Sequence, residues 1–168
     1  MRVVVSDSSV LIDLERGALL QVTFRLSHIF AVPDLLYRRE LELYNGPQLR
    51  EMGLQVHSLS ADGVALASGY RLRQRRVSLP DAFALALAKF GGHLLLTGDA
   101  NLRTLATEEQ VECRGLLWLL DQIESATLLP PADLEAALSA IAAHPRCRLP
   151  EPDVMARVLR YRRSRQTG

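Results

Sequence analysis

Two short aliphatic runs in this chain end abruptly in an acid. Val3-Val4-Val5-Ser6 is followed at once by Asp7, and Leu94-Leu95-Leu96-Thr97-Gly98 by Asp99. Near-continuous apolar runs of this length read as strands buried on both faces, which is the signature of a parallel sheet. Ligands of such sheets bind beyond the carboxyl ends of the strands, so Asp7 and Asp99 are expected to share one crevice. Two carboxylates about 4 Å apart repel by roughly 4 kcal/mol at an effective dielectric of ~20; such a pair holds a proton or a cation. The pattern points to a divalent-metal site.

The rest of the chain keeps a strand–helix rhythm around these runs. Ser8 or Ser9 is placed to cap a helix carrying Val10, Leu11 and Leu14, and Gly17 separates it from a second helical stretch ending near Leu26. Residues 28–32 read as a strand. Pro33 suits the first turn of a helix whose apolar face is Leu35, Leu36, Leu43 and Tyr44, up to the breaker Asn45-Gly46-Pro47. Residues 54–59 alternate as a strand and 61–75 run helical, with Val64, Leu66 and Ala67 on one face. Ser78-Leu79-Pro80-Asp81 then opens an Ala/Leu-rich helix that stops at Gly91-Gly92. A helix over 101–107, a strand around 111–113 and a helix over 116–123 follow. This alternation predicts an α/β fold with a mostly parallel sheet. From Pro130 onward only helices are predicted, over 132–143 and 152–163, and about 38 residues are too few to hold a core alone. They form a helical appendage.

Two further acids have two readings each. Asp81 is either the N3 partner of a Ser78 capping box, worth about 0.5–1 kcal/mol, or a site acid. Glu40, on a face whose neighbours Leu36 and Leu43 read as core-facing, is either a surface acid whose stem covers apolar surface or a site acid.

Taken in order and spacing, four segments resemble the PIN domain over residues 1–128. They are Asp7-Ser8-Ser9-Val10-Leu11-Ile12 after the first strand, Val32-Pro33 with Glu40-Leu41, Ser78-Leu79-Pro80-Asp81-Ala82 with Ala84, Ala86 and Ala88, and Leu96-Thr97-Gly98-Asp99 with Leu102 and Ala106. The resemblance implies a three-layer α/β/α fold with a mostly parallel central sheet. Residues 129–168 would be a helical C-terminal extension packed on the same domain. It also implies an endoribonuclease that uses Mg²⁺ or Mn²⁺ to hydrolyse RNA phosphodiester bonds. By motif, Asp7, Glu40, Asp81 and Asp99 take the catalytic and metal-binding acid positions, with Asp7 and Asp99 as direct ligands and Glu40 and Asp81 acting through water. Ser9 and Thr97 are the supporting hydroxyls. Asn101 stands where similar proteins place a further Asp; one negative charge is missing, which weakens a second metal site. The stretches Gly115–Asp121 and Arg148-Leu149-Pro150 resemble a longer subgroup with extra C-terminal helices. Proteins that look like this include VapC-type toxins, so a small antitoxin and a second copy in a homodimer are the implied partners. The alternative is a non-catalytic PIN-like module that binds RNA or protein.

Net charge is +1, yet the basic residues are nineteen Arg against the single Lys89. Arg71, Arg73, Arg75 and Arg76 precede the Asp81 motif and read as an RNA-binding cluster or as a solvated helix end. Five more, between Arg157 and Arg165, have the same two readings, binding RNA or an acidic partner or standing solvated, and being terminal are expected to fray. Other classes fit poorly. Ser9 stands where a dehalogenase-like phosphoacceptor needs a second Asp, and Lys89 is mid-helix, not at a strand end. No Gly-x-Ser-x-Gly or phosphate-cradling Gly-rich loop occurs, and Trp118, set among leucines, reads as core. Cys113 and Cys147 lack CxxC or zinc-like spacing, so neither a disulfide framework nor a zinc site is expected. No apolar stretch approaches the roughly 18 residues of a membrane helix. Met1-Arg2-Val3 runs directly into a strand, so no signal peptide is expected and the expected location is cytoplasmic.

Overall fold

Aliphatic runs that bury both faces pair in parallel, and the computed structural model, which describes residues 1–167, shows this throughout its sheet. The strands are β1 (Arg2–Ser6), β2 (His28–Pro33), β3 (Gln55–His57), β4 (Leu94–Leu96) and β5 (Cys113–Arg114), in the order β3-β2-β1-β4-β5, every pairing parallel. The fold is the expected α/β class. Val4 and Val5 of β1 and all three leucines of β4 are fully buried at its centre.

The helices, in chain order, are α1 (Ser8–Arg16), α2 (Leu20–Thr23), α3 (Asp34–Leu36), α4 (Gly46–Glu51), α5 (Ala61–Arg73), α6 (Leu79–Gly91), α7 (Ala100–Glu108), α8 (Leu116–Ser125), α9 (Pro131–Ala142) and α10 (Glu151–Thr167). The chain divides into two units. The first holds the sheet and comprises Met1–Val10 and Ser27–Gly115; the second comprises Leu11–Leu26 and the chain from Leu116 onward, so α1 begins in one and continues into the other.

In the first unit α6 lies against β1, β2 and β4 and against α5. Its buried residues are Pro80, Ala82, Ala84, Leu85, Ala86, Leu87 and Ala88, and the four alanines among them let helix and sheet approach closely. Ser78 caps it, its hydroxyl accepting the Asp81 amide N–H at 3.2 Å, and Gly92, at φ 61°, closes it in the left-handed conformation. The capping reading of Asp81 is therefore realised.

Residues 34–45 depart from the continuous helix expected there. α3 lasts one turn and gives way to a π turn over Tyr37–Leu41, in which the Glu42 N–H reaches the Tyr37 carbonyl at 2.8 Å. A π turn winds wider than an α turn and changes the facing of every residue after it. Leu36 is buried as expected, but Leu43 is 99% exposed and Tyr44 is exposed too. Gly46 then packs so tightly that a Cβ would lie 2.7 Å from the Leu41 carbonyl oxygen and 2.8 Å from Tyr37 Cε2.

In the second unit α8, α9 and α10 bury Leu119, Leu120, Ile123, Leu134, Leu138, Ile141, Val158 and Tyr161. The arginine-rich end is not a frayed tail; it is helical to Thr167. Arg157 forks onto Asp121 at 2.9 and 2.6 Å, Arg160 bonds both Asp121 and Glu124, and Arg162 and Arg165 hold Glu135 at 2.7 and 3.0 Å. Acids on α8 and α9 thus answer four of the five arginines.

Gly46→Ala is expected to cost about 1–3 kcal/mol in urea denaturation, the range for forcing a group into a filled space. Unchanged stability would show that the π turn and α4 can part without loss.

Candidate active site

Strand register builds the site. Ser6 pairs with Leu96, and the Asp7 N–H donates to the Leu96 carbonyl at 3.0 Å, so β1 and β4 end together and Asp7 comes to lie beside Thr97. Asp7 is only 1% exposed. Its Oδ1 accepts the Ser9 hydroxyl at 2.9 Å and the Val10 N–H at 3.0 Å; its Oδ2 accepts the Thr97 hydroxyl in a short bond. Ser9 and Val10 lie in the first turn of α1, where amide N–H groups lack helical partners. Burial raises the Asp7 carboxyl above the ordinary carboxylate range, with Asp99 adding to the rise, while these three donors pull it back.

Thr97, fully buried, uses both faces of its hydroxyl. It gives its proton to Asp7 and accepts the Asp99 N–H at 3.0 Å. Asp99 caps α7, Oδ1 accepting the Leu102 N–H at 2.8 Å. The Ser9, Thr97 and Asp99 positions singled out in the sequence therefore form one hydrogen-bonded chain through Asp7.

Asp81 enters from the start of α6 and Glu40 from the π turn. The Asp81 carboxyl is pushed from 3.8 to about 7, first by burial and then by Asp7, with Glu40 and Asp99 adding to the rise against the Ser78 hydroxyl. Asp7, Glu40 and Asp99, on three other segments, thus all lie within electrostatic reach of Asp81. Asn101 is half-buried in the first turn of α7.

The donor set suits a hard cation: it is all oxygen and carries repulsion that a cation relieves. Asp7 spends three of its roughly four lone-pair positions on internal donors and keeps one for such an ion. Among the described residues, no three of the His, Cys, Asp and Glu side chains already converge as a cage.

The basic cluster ahead of α6 separates by partner. Arg73 pairs with Glu108 and Glu109 at 3.0 and 2.9 Å, and Arg71 donates to the Arg75 carbonyl at 2.7 Å. Arg75 and Arg76 are exposed. Sequence reasoning overlooked Arg103, one turn into α7, whose Nη2 donates to the Thr97 carbonyl at 3.0 Å. Its only local signal was its place four residues after Asp99.

A parallel α/β sheet whose central strands are followed by acids, Asp7 buried and Asp99 half-buried, defines the class. The model of the PIN-domain family DUF3368 matches residues 3–163, and the chain belongs to that family. PIN domains are generally nucleases that use divalent metals. No curated protein matches the chain. Among solved structures, a PilT N-terminus domain protein from the hyperthermophilic archaeon Sulfolobus solfataricus P2 is 13% identical, with a TM-score of 0.49 over 72% of this chain and 92% of that one. A chain of a toxin–antitoxin complex from Klebsiella pneumoniae is 20% identical, with a TM-score of 0.41 over 57% of this chain and 86% of that one. No helix among the described residues is long and apolar enough to cross a membrane.

The raised Asp81 carboxyl sets a pH dependence in the metal-free protein. A group whose folded pKa lies above its unfolded one contributes stability that is fully present below about 4 and is lost as pH rises through about 7. Asp81→Asn, neutral throughout, is expected to raise stability above pH 7 by on the order of 2 kcal/mol, after discounting for partial exposure, and to gain nothing near pH 4. Thermal melts across that range in EDTA check this; a gain equal at both ends would assign it to something other than charge.

Proposed function

We propose that the protein is a divalent-metal-dependent endoribonuclease. The observation that carries this reading is Asp7, buried at the carboxyl end of β1 and joined through the Thr97 hydroxyl to the Asp99 amide, with Asp7, Glu40 and Asp99 adding to burial in raising the Asp81 carboxyl. Asp7 and Asp99 would hold a Mg²⁺ or Mn²⁺ ion directly, and Glu40 and Asp81 through water. When bound, such an ion offsets charge on the phosphate oxygens and eases deprotonation of an attacking water.

The chain's own residues do the remaining work. Ser9, Val10 and Thr97 fix both oxygens of Asp7 and favour its ionised form. Thr97 and the cap on α7 orient Asp99, so neither acid has to be ordered when RNA arrives. Glu40, exposed on its π turn, and Asp81, half-buried, face the water and substrate side. Arg75 and Arg76 are the cations of the cluster before α6 that we assign to substrate phosphates.

Membership of the family supports two further proposals: that the protein is the toxin of a toxin–antitoxin pair held by a small antitoxin, and that it forms a homodimer. A second reading is a module that binds RNA or protein without cutting. It is favoured by the absence of a ready three-ligand cage among the described residues and by Asn101 in place of a further acid.

Incubation of a mixed single-stranded RNA pool with Mg²⁺ or Mn²⁺ and with EDTA separates the two. The enzyme cuts only with metal, and Asp7→Asn lowers the rate by at least about 100-fold while the fold survives in circular dichroism. RNA left whole by folded wild-type protein, with binding retained in Asp7→Asn, would establish the binding module instead.

A further inference from the structure

The wall behind the acid site contains a device that the nuclease reading does not assign. Thr97 is the last residue held by the sheet: its N–H donates to the Arg114 carbonyl at 3.0 Å, where the β4–β5 ladder ends. Its own carbonyl is taken by the guanidinium of Arg103 at 3.0 Å. That guanidinium lies against Gly115. A Cβ at Gly115 would come 3.1 Å from Arg103 Nη2, closer than an ordinary contact, and 3.6 Å from the Thr97 carbonyl oxygen, so a side chain there presses the guanidinium away by a few tenths of an ångström. Gly115 is not at positive φ, so the backbone does not require glycine; the close approach of Arg103 is what favours a residue without a Cβ there. The Arg103 N–H also bonds the Asp99 carbonyl at 3.0 Å, so one residue grips both ends of the turn from Thr97 to Asp99.

We propose that Arg103, seated by Gly115, is a positioning residue: it fixes the backbone of Thr97 so that the threonine hydroxyl holds Asp7 and the Asp99 amide together. With both backbone polar groups of Thr97 tied down, its side chain has one pose, giving a proton to Asp7 and accepting one from Asp99. Without the guanidinium the carbonyl turns toward water, and the turn is free to shift by the fraction of an ångström that spoils both bonds. Residues standing behind metal ligands in this way change metal affinity by about 10–100-fold when removed. The functional half of the proposal rests on the nuclease reading; the structural half does not.

The test is a double-mutant cycle on the full chain with Arg103→Met, Gly115→Ala and the pair, together with Arg103→Lys. Amide hydrogen exchange is read in EDTA, and Mn²⁺ affinity by calorimetry. Each single variant is expected to speed exchange at the Asp99 and Val10 amides, leave Val4 and Val5 protected, and weaken Mn²⁺ binding by about tenfold. The pair should be no worse than either single, because both remove one contact. Arg103→Lys should keep part of the function and make Gly115→Ala nearly silent, since an ammonium lacks the fork that the glycine accommodates. Additive losses, or unchanged Asp99 and Val10 amides, would overturn the proposal. So would a loss confined to KM for RNA and steep in salt, which would make Arg103 a phosphate contact. If wild-type protein neither binds Mn²⁺ nor cuts RNA, the nuclease reading fails alone. Exchange at Asp99 and Val10 then still decides the positioning role, supporting it if faster in both single variants and overturning it if unchanged.

Discussion

A carboxylate with 1% exposure at the end of a central strand organises the sheet-bearing unit. Removing an ion from water costs several kcal/mol even after relaxation, and the site is tenable only because three donors meet Asp7. They come from two directions: Ser9 and Val10 from the start of α1, Thr97 from the end of β4. One side chain therefore ends β1, satisfies an orphan amide of α1 and latches β4 in register. The Ser6–Leu96 pairing is what brings the partners opposite each other. A slip of one residue would present Leu96 or Gly98 to the acid and leave it buried without its hydroxyl partner.

The same geometry sets an internal conflict. Asp81 serves α6 as part of its capped first turn, yet its carboxyl faces Asp7, Glu40 and Asp99, and their charges add to burial in driving it to about 7. A helix N-terminus favours an anion, whereas three neighbouring carboxylates oppose one. Function-bearing sites commonly carry this kind of uncompensated strain, which a packed hydrophobic alternative would remove. On the nuclease reading a cation resolves it, and fold and activity then draw on the same ion.

What was legible in the sequence was what local pattern encodes. A short aliphatic run can end in an acid at a sheet's carboxyl edge, and both Asp7 and Asp99 stand there; Ser78 three residues before Asp81 is a cap in sequence and in structure. The π turn was not legible. Its i to i+5 bond differs from the helical i to i+4 bond by one residue, a difference that apolar periodicity over 34–45 does not carry, so Leu43 fits a core position by pattern and stands in solvent in the fold. Arg103 was missed for a different reason. Its role depends on Gly115, twelve positions on, meeting it across the edge of the sheet, and no local window contains both.

Arginine content misleads most when counted without partners. A guanidinium that already grips a carboxylate with two of its N–H groups has little left for a phosphate, and releasing it would strand the acid. By that criterion Arg157 and Arg160 act as ties from α10 to α8, and Arg73, with one N–H group on each acid, as a tie to Glu108 and Glu109; Arg162 and Arg165 each give one bond to Glu135 on α9. Arg103 is occupied by Thr97. The exposed arginines outside these ties that stand nearest in sequence to an acid of the site are Arg75 and Arg76, on the turn before Ser78, and Arg38 and Arg39, on the π turn beside Glu40. Both pairs precede a site acid in the chain: Arg39 is next to Glu40, and Arg76 lies five positions before Asp81. If the acids act on RNA, arginines on the segments that carry the outer carboxylates would offset their repulsion of a polyanion, while a bound metal ion would offset the charge of the inner acids. On the nuclease reading, these two turns rather than the C-terminal helix carry the arginines assigned to substrate phosphates.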